Sequence, residues 1–324
     1  MSRNELIPQI RFKGFNDAWE QRKLKEVANI YDGTHQTPNY TTSGIKFLSV
    51  ENIKTLDSNK YISIEEFKNN YKIYPEKNDI LMTRIGDIGT SNIVRDNALK
   101  AYYVSLALLK CKEIEPYYLN TAIKSNYVSH GLKQRSLLTA IPMKINKDQI
   151  GEVDIFYPLN STEQSKIGDF FDNIDNLITL HQRKYEKLKN IKKSLLEKMF
   201  PKNNEKVPQI RFSGFDDAWE QRKLGDIYKF QYGTFNNNPN NGGEYPVFGA
   251  NGIIGGYSKY NAKDSVIIGH MGEYAGSVLW GEGKHFVTYN GTITTSKRDF
   301  IKSKFGYYML FNKNINKICG GSGL

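Results

Sequence analysis

The amino-acid sequence predicts an α/β (α+β) protein: two similar domains joined by a long coiled-coil-forming helix. Three observations carry that expectation. A 17-residue segment near the start recurs 200 positions later, glycine-turned strand pairs match between the repeats, and residues 161–200 carry helical apolar spacing.

The repeat comes first in the chain. Residues 8–24 read PQIRFKGFNDAWEQRKL and residues 208–224 read PQIRFSGFDDAWEQRKL, differing only at Lys13/Ser213 and Asn16/Asp216. A period near 200 is too long for a solenoid, so this is a duplicated domain. Further on, residues 77–94 and 263–280 align from Asn78 with Asp264 at an offset of 186, with matching apolar positions and the shared glycines Gly86 and Gly272. Each stretch reads as a buried strand, a tight glycine turn and a second strand. A common framework with unlike side chains suits two modules reading different ligands; a drifting duplicate would look similar.

Between the repeats, Ser161 and Gln164 read as a capping box and Pro201 as the stop of a helix. Apolar or amphipathic residues recur at Ile167, Phe171, Ile174, Ile178, His181, Tyr185, Leu188, Ile191, Leu195 and Met199. Steps of four and three make this a seam for pairing with another helix, the alternative being a lone helix packed on its own domain. Its first half holds Glu163, Asp169, Asp172 and Asp175 against Lys166. Its second half holds Arg183, Lys184, Lys187, Lys189, Lys192, Lys193 and Lys198 against Glu186 and Glu197. That asymmetry suits the helix dipole and antiparallel pairing with a similar helix.

The expected boundaries are residues 1–160 for the first domain, 161–200 for the helix, 201–207 for a linker and 208–324 for the second domain. Ser322-Gly323-Leu324 aligns with Thr139-Ala140-Ile141, so residues 142–200 have no counterpart in the second copy. The second domain is therefore expected to be incomplete and to lack a helix of its own.

Composition narrows the partners. The chain has 324 residues and a formal net charge of +11, from 45 Lys+Arg against 34 Asp+Glu. Such a balance attracts polyanions, nucleic acid first, with solubility or an anionic membrane as alternatives. At 39% hydrophobic and 13% aromatic the chain is no disordered basic tail. Cys111 and Cys319 stand apart without CxxC spacing, against a disulfide framework or zinc site and in keeping with a reducing cytoplasm. No leader or membrane span is expected, and the protein reads as soluble and cytoplasmic.

Catalytic patterns are not found. There is no GxGxxG, P-loop or HExxH, and Asn238-Pro239-Asn240 does not complete the Asn-Pro-Pro-aromatic motif of adenine methyltransferases. Histidines 35, 130, 181, 270 and 285 are scattered. Glu76 and Asp79 beside Lys77 faintly suggest a nuclease, but Ser265 stands where Asp79 does in the other copy. No catalytic or metal-ligating residue is expected.

In this order, the features resemble the specificity subunits of type I restriction-modification systems. The carriers are residues 19–24 and their copy 219–224, Gly33-Thr34 and Gly233-Thr234, and the Asp79-Ile80-Leu81 to Gly86-Asp87-Ile88-Gly89 hairpin. To these add Pro158-Leu159 with Glu163-Gln164 and Ile167, which match the family's helix start. Two departures stand out: Thr139-Ala140 where the family shows Ser-Gly, and no second spacer helix.

The resemblance implies two target-recognition domains, each reading one half of a split site on double-stranded DNA. Spacer helices set the gap, and a helix of about 57 Å exceeds a DNA turn of roughly 34–36 Å. It further implies docking to two methyltransferase subunits and to restriction subunits. S-adenosylmethionine, ATP and Mg²⁺ would belong to those partners, leaving this chain non-catalytic and without a cofactor. Alternatives are a truncated pseudo-subunit reading one half-site, self-association through the helix, or a self-contained nuclease.

Base readout needs side chains with paired donors or acceptors. In the first domain the candidates are Thr34, His35, Gln36, Thr37, Arg84, Lys133, Gln134, Arg135, Ser136 and Lys144, with Lys147 close by. In the second they are Asn236, Asn237, Asn238, His270, Lys317 and Ser322. Arg84 could equally be a structural strut.

Overall fold

The computed structural model describes residues 7–137, 139–202, 205–236, 238–297, 301–313 and 315. Packing divides the chain into unit 1, residues 1–182, and unit 2, residues 183–324.

Unit 1 opens with β1 (Glu20–Lys23), α1 (Leu24–Val27), β2 (Ala28–Asp32), β3 (Ile45–Leu48), β4 (Tyr61–Ile62) and α2 (Ile64–Asn70). There follow β5 (Ile80–Thr83), β6 (Ser91–Ile93), β7 (Lys100–Tyr102) and β8 (Leu106–Cys111). Next come α3 (Pro116–Ile123), α4 (Asn126–Gln134), α5 (Lys147–Gly151), β9 (Asp154–Tyr157) and the long α6 (Ser161–Lys198). Short polar residues start the helices. The Ser63 hydroxyl accepts from Glu66 N–H before α2, Ser125 accepts from Val128 N–H before α4, and Pro116 opens α3.

Strands β5 and β8, apolar on both faces, take the centre of an antiparallel sheet ordered β2-β8-β5-β6. A second sheet runs β4-β3-β7, with β3 and β7 parallel, and β1 pairs only with β9. One face of the first sheet buries Ile80, Met82 and Leu109 under Leu119, Ile123 and Ile155; the other buries Leu81 and Leu108 against Leu48 and Tyr102. Each such side chain contributes about 1.5–3 kcal/mol by leaving water.

Asn160, and not Ser161, caps α6: its Oδ1 accepts from Thr162 N–H at 2.9 Å and from Glu163 N–H at 3.3 Å. Gln164 does not turn back on the helix as a capping box requires. It accepts from Glu115 N–H at 2.8 Å and donates to the Pro158 carbonyl at 2.8 Å, riveting the helix to the start of α3.

Unit 2 holds the second half of α6, then α7 (Leu224–Ile227), β10 (Tyr228–Tyr232), β11 (Tyr245–Gly249) and β12 (Gly252–Tyr257). After these come β13 (Ala262–Gly269), β14 (Val278–Val287), β15 (Gly291–Ser296) and α8 (Ser303–Asn312). Its six strands form one sheet ordered β10-β15-β13-β14-β11-β12. Joining β6 to β7 in unit 1 gives the same order. Where unit 1 breaks between Ile93 and Lys100, β14 runs on for 10 residues and unites the two half-sheets. The parallel pairs Val247–Phe286 and Phe248–Val287 repeat Phe47–Ala101 and Leu48–Tyr102.

The two glycine-turned hairpins are present. Asn78 and Asp264, aligned by sequence, both take left-handed backbone (φ 74° and 44°), as do Gly86 (79°) and Gly272 (66°). Beyond the turn the constant offset of 186 fails. Ile80 faces Ile93, whereas Val266 faces Trp280, one position further on. The second turn holds one more residue, and Gly276 (φ 81°) takes the place of Gly89 (94°). Among the described residues no helix is long and apolar enough to cross a membrane.

Candidate nucleic-acid interface

In unit 1 the candidate loops gather at one end of the sheet, where β2 and β5 finish and β6 and β8 begin. Gly33 leaves β2 so close to the chain that a Cβ there would overlap the Tyr103 carbonyl. Thr34 N–H donates to the Tyr102 carbonyl at 3.2 Å, and Val104 N–H donates to the Thr34 carbonyl at 2.9 Å. The glycine thus fixes the take-off of the loop carrying His35, Gln36 and Thr37, which are all exposed. Thr34, Gln36 and Thr37 edge a polar cleft of about 470 Å³ whose far wall includes Ser63, Glu66 and Tyr71. Burial pushes the Tyr71 phenol up to about 12, so it stays a neutral donor.

Arg84 follows β5 at the same end. Its N–H donates to the Ser105 carbonyl, its Nε donates to the Ile145 carbonyl at 3.1 Å, and its Nη1 is paired with the Asp32 carboxylate. The guanidinium is buried and holds three segments together, a strut by geometry. Gly86 N–H donates to Met143 O, and Leu137 N–H to Lys144 O, which brings exposed Lys144 beside the turn. Lys133 and Gln134 are exposed on the last turn of α4, and Lys147 is exposed at the start of α5. Arg135 is half-buried, with Nη1 donating to the Gly131 carbonyl at 3.3 Å. Ser136 is buried and its hydroxyl donates to the Leu132 carbonyl at 2.7 Å, so it faces the helix and not solvent.

Unit 2 repeats the backbone with other side chains. A Cβ on Gly233 would overlap the Thr288 carbonyl, and Thr234 bridges to Thr288 as Thr34 does to Tyr103. His270 N–H donates to the Asn290 carbonyl at 3.2 Å, the counterpart of Arg84 to Ser105. Its imidazole shares a hydrogen bond with Thr292 Oγ1 at 3.1 Å and lies 4.7 Å from the Tyr232 ring and 5.6 Å from that of Tyr289. Burial holds the imidazole pKa below its usual value, favouring the neutral ring with one donor and one acceptor. Asn236 is half-buried, and its Oδ1 accepts from Asn238 N–H at 2.9 Å. Asn237, Lys317 and Ser322 lie outside the described residues.

Sequence reading missed Asp32, Tyr232 and Tyr289. The first two stand directly before the Gly-Thr pair of each repeat, which was the available signal; Tyr289 is placed only by the fold.

Of the helix-pairing candidates, Ile167 packs on the unit 1 core, and Ile174 and Met199 are half-buried. Phe171, Ile178, Tyr185, Leu188, Ile191 and Leu195 are exposed. The first half of the helix is tied down by its polar residues. Glu163 is buried in a two-pronged pair with Arg11 (2.7 and 2.8 Å), and Asp172 and Asp175 meet Arg95 and Lys124. Gly168 lets the helix approach the Tyr117–Tyr118 backbone, where a Cβ would come within 2.7 Å.

Glu76 and Asp79 both contact Lys110 Nζ at 2.6 Å, and Asp79 also accepts from Glu76 N–H. A strand-end ion pair accounts for both carboxylates. Among the described residues no three His, Cys, Asp or Glu side chains cluster as a metal site.

A family model described as type I restriction modification DNA specificity domain matches residues 16–190 and 216–324. Among curated proteins, one described as the MjaX type I restriction enzyme specificity subunit of Methanocaldococcus jannaschii is 26% identical over 240 residues, 66% of this chain and 53% of that protein. The chain thus spans about half the length of that relative. The crystal structure of a type I restriction-modification system S subunit from M. genitalium matches in fold with a TM-score of 0.66. It is 17% identical, and the match covers 96% of this chain and 81% of that one. With one family match on each repeat and the repeats sharing one strand order, the chain belongs to the type I restriction-modification DNA specificity family.

Proposed function

We propose that this chain is the DNA-reading subunit of a type I restriction-modification assembly, non-catalytic itself. Each unit reads one half of a split double-stranded target through the sheet end that carries its Gly-Thr pair. One observation supports this above the others: like backbone at that end presents unlike side chains, Arg84 over Asp32 in one unit and His270 over Tyr232 in the other. A scaffold that repeats while its tips differ suits two modules with different base preferences. The net charge of +11 supplies the phosphate attraction such reading needs.

In this reading His35, Gln36, Thr37, Lys133, Gln134 and Lys144 meet DNA, while Arg84 and Ser136 hold the loops in place. Domains 1–160 and 208–324 act as the readers, and 161–200 as the ruler and docking surface for two methyltransferase subunits. Restriction subunits join that core, and S-adenosylmethionine, ATP and Mg²⁺ serve the partners, in the cytoplasm. The test is to pair the chain with a methyltransferase subunit and map methylated adenines genome-wide. A single split target is expected. Methylation or cleavage by the chain alone would overturn the reading.

A further inference from the structure

Unit 1 carries an element that unit 2 lacks. Between β4 and β5 it folds α2, whereas residues 258–261 join β12 to β13 with no helix. Phe67 and Tyr71 bury the inner face of α2 against Phe47, Ile62 and Ala101, their own rings stacked at 5.6 Å. The Tyr71 hydroxyl is hydrogen-bonded to Thr34, which ties the end of α2 to the Gly-Thr loop. That loop is pinned again at its far end, where Thr41 N–H donates to the Tyr61 carbonyl at 2.9 Å. Between these two fixed walls lies the polar cleft of about 470 Å³. Residues three and four apart share a helix face, and Glu65, Glu66, Asn69 and Asn70 all line the cleft, opposite Gln36 and Asn39. Among the described residues no lysine, arginine or histidine lines it. Glu65, Asn69 and Asn70 are exposed, and their side chains have no hydrogen-bond or ion-pair partner among the described residues.

Such a wall selects what it can face. Its carboxylates repel phosphate, and together with the amide oxygens they accept hydrogen bonds, so the fitting partner is a group that offers N–H. On the major-groove edges of DNA the amino donors are adenine N6 and cytosine N4. We propose that α2 reads the half-site of unit 1, with Glu65 and Asn69 accepting from the exocyclic amino group of an adenine or a cytosine. The inference rests on the DNA reading above and names the chemical group that unit 1 selects. It makes the two units unlike in kind: an inserted helix supplies acceptors to one, and the other reads without it.

The test selects duplexes from a fully randomised pool on the full chain assembled with a methyltransferase subunit, and sequences what is retained. The unaltered chain is expected to return one split target. Glu65→Ala and Asn69→Ala should each relax discrimination within a single half-site by roughly tenfold, leaving the other half-site as it was. The intact half-site also shows that the variants are folded. Lys68→Ala, on α2 but outside the cleft, should change neither half-site. Replacing the base at the affected position by its analogue without the amino group should weaken the unaltered chain and leave the variant indifferent. Three results would overturn the proposal: an unchanged preference, equal loss in both half-sites, or tighter binding to every duplex, which would mean that the carboxylates only repel phosphate. Failure of the unaltered chain to return a split target would overturn the DNA reading itself, and this inference with it, so the two failures are told apart.

Discussion

Leu24 and Leu224 close near-identical lead segments, yet Leu24 is fully buried and Leu224 is 37% exposed. In unit 1 the residues Glu20 to Lys23 pair with β9, and Leu24 N–H donates to the Val153 carbonyl at 2.9 Å. Residues 220–223 form no strand. The same letters therefore yield strand and core in one setting and an open edge in the other. The conformation of the repeated segment is set by what packs beside it and not by its own letters.

That contrast can be broken by substitution. Leu24→Ala should cost about 3–4 kcal/mol and Leu224→Ala less than about 1 kcal/mol, read from urea midpoints of the two variants. Similar losses would mean the two segments are equally packed. Next in size, Glu163→Ala leaves half-buried Arg11 without its carboxylate partner and should cost about 2 kcal/mol, whereas Arg211→Ala should be near neutral.

The sheet ends sharpen the comparison. Arg84→Ala should destabilise unit 1 by about 2 kcal/mol, since it frees Asp32 and the Ile145 carbonyl. His270→Ala should leave stability nearly unchanged and relax one half-site by about 1 kcal/mol in competition binding. Equal effects on folding would remove the distinction between strut and reader.

The smallest effect concerns acid. His285 is buried in unit 2, with Nε2 3.0 Å from Ser265 Oγ and Nδ1 2.9 Å from the Gly283 carbonyl. Burial lowers its pKa, so the unfolded chain takes up the proton first. The stability this confers is complete above the ordinary histidine value of 6.5 and is lost as pH falls below it toward the folded value. Denaturation midpoints at pH 7.5 and 5.5 should differ, and His285→Asn should remove the larger part of the difference.

Much of this was legible in the sequence. The duplication, the hairpins and the long helix follow from repeats and apolar period, and the alignment of Asn78 with Asp264 finds its physical reason in a shared left-handed backbone. Other features depend on distant partners. Gln164 reads as a local cap because sequence places Ser161 three residues away, but its true partners are Glu115 and Pro158. The extra residue before Gly276 and the fusion of two half-sheets through β14 are decided by pairing across strands, which no local pattern reports. Arg84 reads from the sequence equally as a base contact or a strut, and only the fold brings Asp32 to it.

Gly33 and Gly233 bear on how such a protein can vary. Each admits its loop by lacking a side chain, and main-chain bonds on either side complete the frame. The neighbouring letters are then free to change without moving the chain that presents them. New vocabulary can be acquired at these tips while the grammar of the scaffold stays as it was.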